Sequence, residues 1–225
     1  MAVACELCGS AKLDWDDLDL YRFFAFALGS PSQERFDILA RPGLKNALTE
    51  LWQQLGCRGE DPNFVWFADY EEYEATYIAL FDVGIPEPPV PLFESAHNKS
   101  KPAQEIALEN TLFYEALGLK WDSSCAVPDY LITQLEFLAA VHYTLEHAED
   151  TTSGNLARLE TDFLDRHALN WVPSASAKLA RVAPCNFGPL MTMLATFLQN
   201  RREEVNKIGR ESANLPVDQV MLPPL

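Results

Sequence analysis

Apolar residues recur three and four positions apart along most of the 225-residue chain, the spacing that gathers side chains on one face of an α-helix. Leu18, Tyr21, Ala25 and Leu28 form the first stripe, behind Asp14, Asp16 and Asp17, whose carboxylates suit the positive end of a helix dipole. Gly29-Ser30-Pro31 stops that helix and starts another. Leu44, Leu48, Leu51 and Leu55 repeat as far as Gly56, which reads as a C-terminal cap. Tyr70, Tyr73, Tyr77 and Phe81 mark a helix that feeds a proline-dense stretch. Ile106, Phe113 and Leu117 mark the helix after it, closed by Gly118.

Pro128 opens a long helix, with Asp129 in its first turn and Leu131, Leu135, Leu138, Val141 and Leu145 as its buried stripe. Thr151 to Asn155 reads as a turn. Leu156, Leu159 and Phe163 then begin a helix that ends near Trp171-Val172-Pro173, and Leu190, Leu194 and Phe197 belong to a last helix before the charged run Arg201 to Glu204. No alternating stretch is long enough to require a sheet, and no repeat of fixed period is visible. The pattern predicts an all-α fold, a single irregular bundle of about ten helices. It occupies residues 14–210, after a flexible N-terminal segment (1–13) and before a loosely attached tail (211–225).

The segment between the third and fourth stripes stands apart. Pro86, Pro88, Pro89 and Pro91 each fix φ and remove a backbone donor, so neither a helix nor a central strand passes through them. Val90, Leu92 and Phe93 are too apolar for a disordered linker. A stiff, ordered loop between helices is the expectation, either as a buried connector or as a working surface.

Composition narrows the partners. The formal charge of −16, from 33 acidic and 17 basic residues, leaves no cationic face for nucleic acid and favours basic partners through long-range steering. Five scattered cysteines fit a reducing compartment rather than a disulfide framework. The start of the chain has no basic-then-apolar signal pattern. The uncharged stretch between Arg181 and Arg201 is broken by Pro184, Asn186, Gly188, Pro189 and Gln199, so no stable membrane insertion is expected. These features together place the protein in the cytoplasm.

Catalytic patterns are missing: no phosphate-binding glycine loop, no nucleophile elbow and no paired metal-binding histidines on a helix. Cys5-x-x-Cys8 is half of a zinc site without its other half. Glu94-x-x-His97 is the chain's single Glu-x-x-His, whereas a di-iron bundle needs two. His142 and His147 lie on different faces of one helix, and His167 falls near a helix end, where a cation suits the dipole. No catalytic residue, metal site or cofactor is expected.

Three blocks carry a family resemblance. Tyr77-x-x-Leu80-Phe81-x-x-Gly84-x-Pro86-x-Pro88-Pro89-x-Pro91-x-x-Glu94-Ser95 resembles the signature of the redox-enzyme maturation chaperones, the TorD/DmsD/NarJ family, dedicated helpers of dimethyl sulfoxide reductase-type molybdenum enzymes. Pro128-Asp129-Tyr130-Leu131, followed by Leu135-Glu136-Phe137-Leu138, is similar to that family's second signature. Asp162-Phe163-Leu164-Asp165-Arg166-His167 ahead of Trp171-Val172-Pro173 is similar to a third. Ala126 and Tyr130 stand where the family often has Glu and His, so the nucleotide binding proposed for some relatives is not carried over.

The resemblance implies an all-helical chaperone, monomeric or homodimeric. Its partner would be the apo catalytic subunit of a molybdenum enzyme, held by a basic and apolar leader, often with paired arginines, and by its body. Such a partner suits an apolar groove rimmed by carboxylates. The implied contacts are Tyr77, Phe81, Asp82, Gly84, Pro86, Glu87, Pro88, Pro89, Pro91, Glu94, Ser95, His97, Pro128, Asp129, Tyr130 and Glu136, with Asp82, Glu87 and Glu94 as the leading rim acids. Two alternatives remain: a permanent structural subunit of the oxidoreductase, and an all-α metal enzyme using Glu94 and His97.

Overall fold

The computed structural model describes residues 16–59, 62, 64–120 and 127–213. Ten α-helices among them follow as α1 (Asp17–Ala27), α2 (Gln33–Leu39), α3 (Pro42–Gln54), α4 (Tyr70–Tyr77), α5 (Glu94–His97), α6 (Ala103–Ala116), α7 (Leu131–Glu146), α8 (Asp150–Phe163), α9 (Leu169–Val182) and α10 (Phe187–Ala213). A π turn, Ile78–Asp82, extends α4, and a second, Leu164–Ala168, joins α8 to α9. Cys5, Cys8, Cys125 and Ala126 lie outside the described residues, as do residues 1–13 and all of the tail beyond Ala213.

Local chemistry starts and stops these helices as the sequence leads one to expect. The Asp16 and Asp69 carboxylates accept the backbone N–H groups of Asp19 and Glu72 at 2.8 and 2.9 Å, and the Ser32 hydroxyl accepts that of Arg35 at 3.2 Å. Each satisfies a donor that the first turn leaves free. Gly56 ends α3 with φ of 70°, in the left-handed region that favours glycine.

α10 packs along α8 and α9, and α1 packs along α7. Phe187, opening α10, is surrounded by the rings of Phe67, Tyr73, Tyr77 and Phe81 at centroid distances of 5.2 to 6.0 Å. Tyr21 and Phe24 of α1 meet Phe197 of α10. One buried ion pair crosses this interface. Arg201 Nε and Nη2 donate to the two oxygens of Glu160 at 2.8 and 2.9 Å, and Nη1 donates to Asp17 at 3.0 Å. The Tyr21 hydroxyl donates to the same Glu160 at 3.0 Å. α1, α8 and α10 are thereby tied at one point.

Four expectations are corrected. Pro128 does not open α7, which begins at Leu131 because the Asp129 carbonyl and Leu131 N–H are engaged by the proline loop. Thr151 to Asn155 is not a turn but lies within α8, where burial of Gly154, Leu156 and Ala157 outweighs poor helix propensity. The following helix does not end at Pro173. α9 runs through it, giving up one ladder bond while burying Trp171, Val172, Ala175 and Leu179, each worth about 1.5–3 kcal/mol for a large side chain. α10 likewise continues through the charged run Arg201 to Glu204 and past residue 210. Among the described residues the one β feature is an isolated antiparallel bridge, Phe93 with Tyr130.

Candidate functional site

The proline loop leaves the first π turn, projects outward, and returns to the base of α7. The Val83 N–H closes the π turn onto the Ile78 carbonyl at 2.8 Å, and the Val90 N–H returns to the Leu80 carbonyl at 3.0 Å. Between them the loop doubles back so closely that a Cβ on Gly84 would stand 2.2 Å from the Glu87 carbonyl oxygen. Gly84 is therefore required for space; its φ is not positive, contrary to a simple turn role. Val90 and Leu92 are buried anchors.

The return strand is fastened to α7 by main-chain bonds. Leu131 N–H donates to Leu92 O at 2.8 Å, Glu94 N–H donates to Asp129 O at 2.9 Å, and the Phe93 and Tyr130 rings lie 5.1 Å apart. The Asp129 carboxylate accepts the Ser95 N–H at 3.0 Å. The Tyr77 hydroxyl donates to Leu28 O at 3.1 Å and lies 3.3 Å from the Tyr130 hydroxyl, so the end of α1 joins the same fastening. Burial raises the Tyr77 phenol well above its ordinary pKa and holds it neutral.

Beneath the loop lies a buried polar cluster. The Glu94 carboxylate accepts from Gln134 Nε2 at 2.8 Å and Asn110 Nδ2 at 3.2 Å, and meets His167 Nδ1 at 3.0 Å. Trp171 Nε1 donates to Gln134 Oε1 at 3.1 Å. His97 stacks on Trp171 at 5.1 Å and donates from Nε2 to the Pro91 carbonyl at 2.8 Å. Burial lowers the His97 pKa and favours its neutral ring. α5, α6, α7, α9 and the second π turn thus converge on one carboxylate.

This placement sorts the sequence candidates. Tyr77, Phe81, Glu94 and Asp129 are buried and act as supports of the loop; Ser95, His97, Pro91, Pro128 and Tyr130 are half-buried around them. Glu94 is 1% exposed, so the expected rim acid is an internal one. His167, expected as a cation at a helix end, is enclosed beside it because α9 continues the helix. Asp82, Pro86, Glu87 and Pro89 remain on the outside, with Gly84 and Pro88 half-buried between them. Beside them stand Val83, 63% exposed, and Ile85, 101% exposed, which sequence reasoning passed over as ordinary loop residues.

A groove of about 600 Å³ lies between α1 and α7, lined by Ala25, Leu135 and Ala139 and by Arg35 of α2. It carries two cationic side chains, Arg22 and Arg35, and, of the proposed acids, Glu136. Desolvation by the groove walls raises the Glu136 carboxyl above its ordinary pKa. Among the described residues no group of three His, Cys, Asp or Glu is placed to hold a metal ion, and no helix is long and apolar enough to cross a membrane.

Comparison with known proteins fixes the family. The sequence model of the nitrate reductase delta subunit family matches residues 40–177, and the chain belongs to that family. It is 30% identical over 161 residues to the selenate reductase assembly chaperone protein of Thauera selenatis, covering 68% of this chain and 80% of that one. It is 29% identical over 148 residues to the perchlorate reductase assembly chaperone protein of Dechloromonas aromatica (strain RCB), covering 64% of this chain and 66% of the relative, just under two thirds of its length. A crystal structure of a putative redox enzyme maturation protein from Archaeoglobus fulgidus aligns with 86% of this chain and 96% of its own, at 18% identity and a TM-score of 0.49. The fold is all-helical among the described residues, and the family is that of the nitrate reductase delta subunit.

Proposed function

We propose that the chain is a cytoplasmic chaperone for the apo catalytic subunit of a dimethyl sulfoxide reductase-type molybdenum enzyme, and that it takes the basic, apolar leader of that subunit at the tip of the proline loop. The observation carrying this reading is the pair of aliphatic side chains, Val83 and Ile85, held in solvent beside the exposed acids Asp82 and Glu87. An apolar tip on a clamped base loses little freedom on binding, so its burial goes mostly into affinity. The flanking carboxylates steer a cationic segment in, and apolar contact sets how long it stays. Release follows when the cofactor-loaded client folds and withdraws the segment.

The test is fluorescence anisotropy with a labelled peptide carrying paired arginines ahead of an apolar run. Ile85→Ala should weaken binding about tenfold, the scale of losing one anchored aliphatic side chain. The Asp82→Lys/Glu87→Lys double variant should slow association and remove its salt dependence. Unchanged binding in both would end the loop assignment. Affinity capture from the native cells addresses the rival reading: a molybdenum-free catalytic subunit fits a chaperone, and a mature, metal-loaded enzyme fits a permanent subunit.

A further inference from the structure

We infer that the groove between α1 and α7 is a second client site, which binds an apolar segment bearing a carboxylate and seats that carboxylate on Arg35. The inference rests on the chaperone reading for the identity of the partner but uses a different surface from the loop tip.

Arg35 is the anomaly that carries it. In a chain with 33 acidic residues, no described carboxylate pairs with this guanidinium, and its Nε is buried without a hydrogen-bond partner. Asp37, two residues on, accepts instead from Gln33 Nε2 at 2.8 Å. Yet the group is firmly placed. Its Cζ lies 4.9 Å from the centre of the Phe26 ring, a cation–π contact that orients the plane. Gly29 leaves the room it needs, since a Cβ there would stand 2.9 Å from Nη2. A planar guanidinium held in position, with no carboxylate partner among the described residues, is suited to recognise a carboxylate.

The surroundings select the rest of the ligand. Arg22 and Phe26, one helical turn apart on α1, line the same groove, so it carries a second cation. Ala25, Leu135 and Ala139 give the groove an apolar lining suited to aliphatic side chains. Glu136 faces the groove from α7, forms no described ion pair with either arginine, and has its carboxyl pKa raised by desolvation. Local charge therefore runs opposite to the −16 of the whole chain. A purely basic leader would find two like charges here, whereas an acid-bearing apolar helix finds complementarity.

The experiment uses the full chain and three labelled amphipathic peptides, identical except for Glu, Gln or Lys at one position beside the apolar face. The Glu peptide should bind about tenfold more tightly than the Gln peptide, the step expected for one charge-assisted pair. Arg35→Gln should abolish that preference. Gly29→Ala, which keeps the charge but displaces it, should reduce the preference. Glu136→Gln, which removes a like charge, should increase it. Equal binding of all three peptides, no binding of the Glu peptide, or a preference that survives Arg35→Gln overturns the inference. A shift of the free protein from dimer to monomer on Arg35→Gln would make the occupant a second copy and overturn the client assignment. The leader peptide, assayed alongside, reports on the loop alone. If it still depends on Ile85 while the Glu preference is absent, the chaperone reading stands and only the groove assignment falls.

Discussion

Two buried carboxylates hold this molecule together, and they do so by different chemistry. Glu160 is neutralised by a bidentate guanidinium, reinforced by the Tyr21 hydroxyl, where three long helices meet. Glu94 is surrounded by two amides and a histidine beneath the proline loop, with no arginine or lysine among its described partners. The first is a point tie between rigid elements, in which charge meets charge. The second is a network in which each member is oriented by the next, suited to holding an irregular loop in one shape. Where helices pack, one strong pair is enough; where backbone runs without a ladder, several weaker bonds from different elements are needed.

Breaking the first tie should have the largest effect. Arg201→Met leaves Glu160 buried without a countercharge and should cost about 3–5 kcal/mol, read as a fall in the urea midpoint. Adding Glu160→Met should recover most of that loss, because an apolar pair of similar volume packs there without desolvated charge. Failure of the double variant to recover would mean that the pair acts through geometry and not through charge.

The network should respond more mildly and more locally. Glu94→Gln keeps the shape but places an amide against donors, so we expect a loss of about 1–3 kcal/mol. Limited proteolysis should then cut faster between Val83 and Pro89, whereas Arg201→Met should show no such selectivity for the loop. Equal loop cleavage in both variants would remove the distinction between tie and network.

The smallest effect is a pH dependence. The folded pKa of His97 lies below the ordinary 6.5, because burial disfavours the charged ring. Below that value the unfolded chain takes up the proton more readily than the folded one. The stability this residue contributes is therefore complete above pH 6.5 and is lost as pH falls through 6.5 toward the folded value. His97→Gln retains a donor for the Pro91 carbonyl, and its stability should fall less steeply over that interval than that of the parent protein.

Helical class and order were legible because the stripes are local. Leu131, Leu135, Leu138 and Val141 declare a buried face without reference to anything distant, and all four are buried. The loop was legible from its prolines. The α8–α9 region was misread because Thr151 to Asn155 and Pro173 are poor helix formers whose placement is decided by packing against α10. The site's inner half was illegible for a related reason. Glu94 and His167 are 73 positions apart and Glu160 and Arg201 are 41 apart, and no local pattern joins them. One signal was available: Asn110 and Gln134 are amides at the spacing of buried stripe residues, four after Ile106 and three after Leu131. Polar residues at such positions point to a buried network. Arg35 gave no such signal, since only the fold shows that no described carboxylate pairs with it.

The Arg201 tie also dictates an order of events during synthesis. Its partner Asp17 precedes it by 184 residues. While the chain is still emerging from the ribosome, α1 can dock on α7 once residue 146 has appeared, but the guanidinium that ties α1 to α8 and α10 arrives only with residue 201. Over that interval the first helix has its berth on α7 but not yet its fastening.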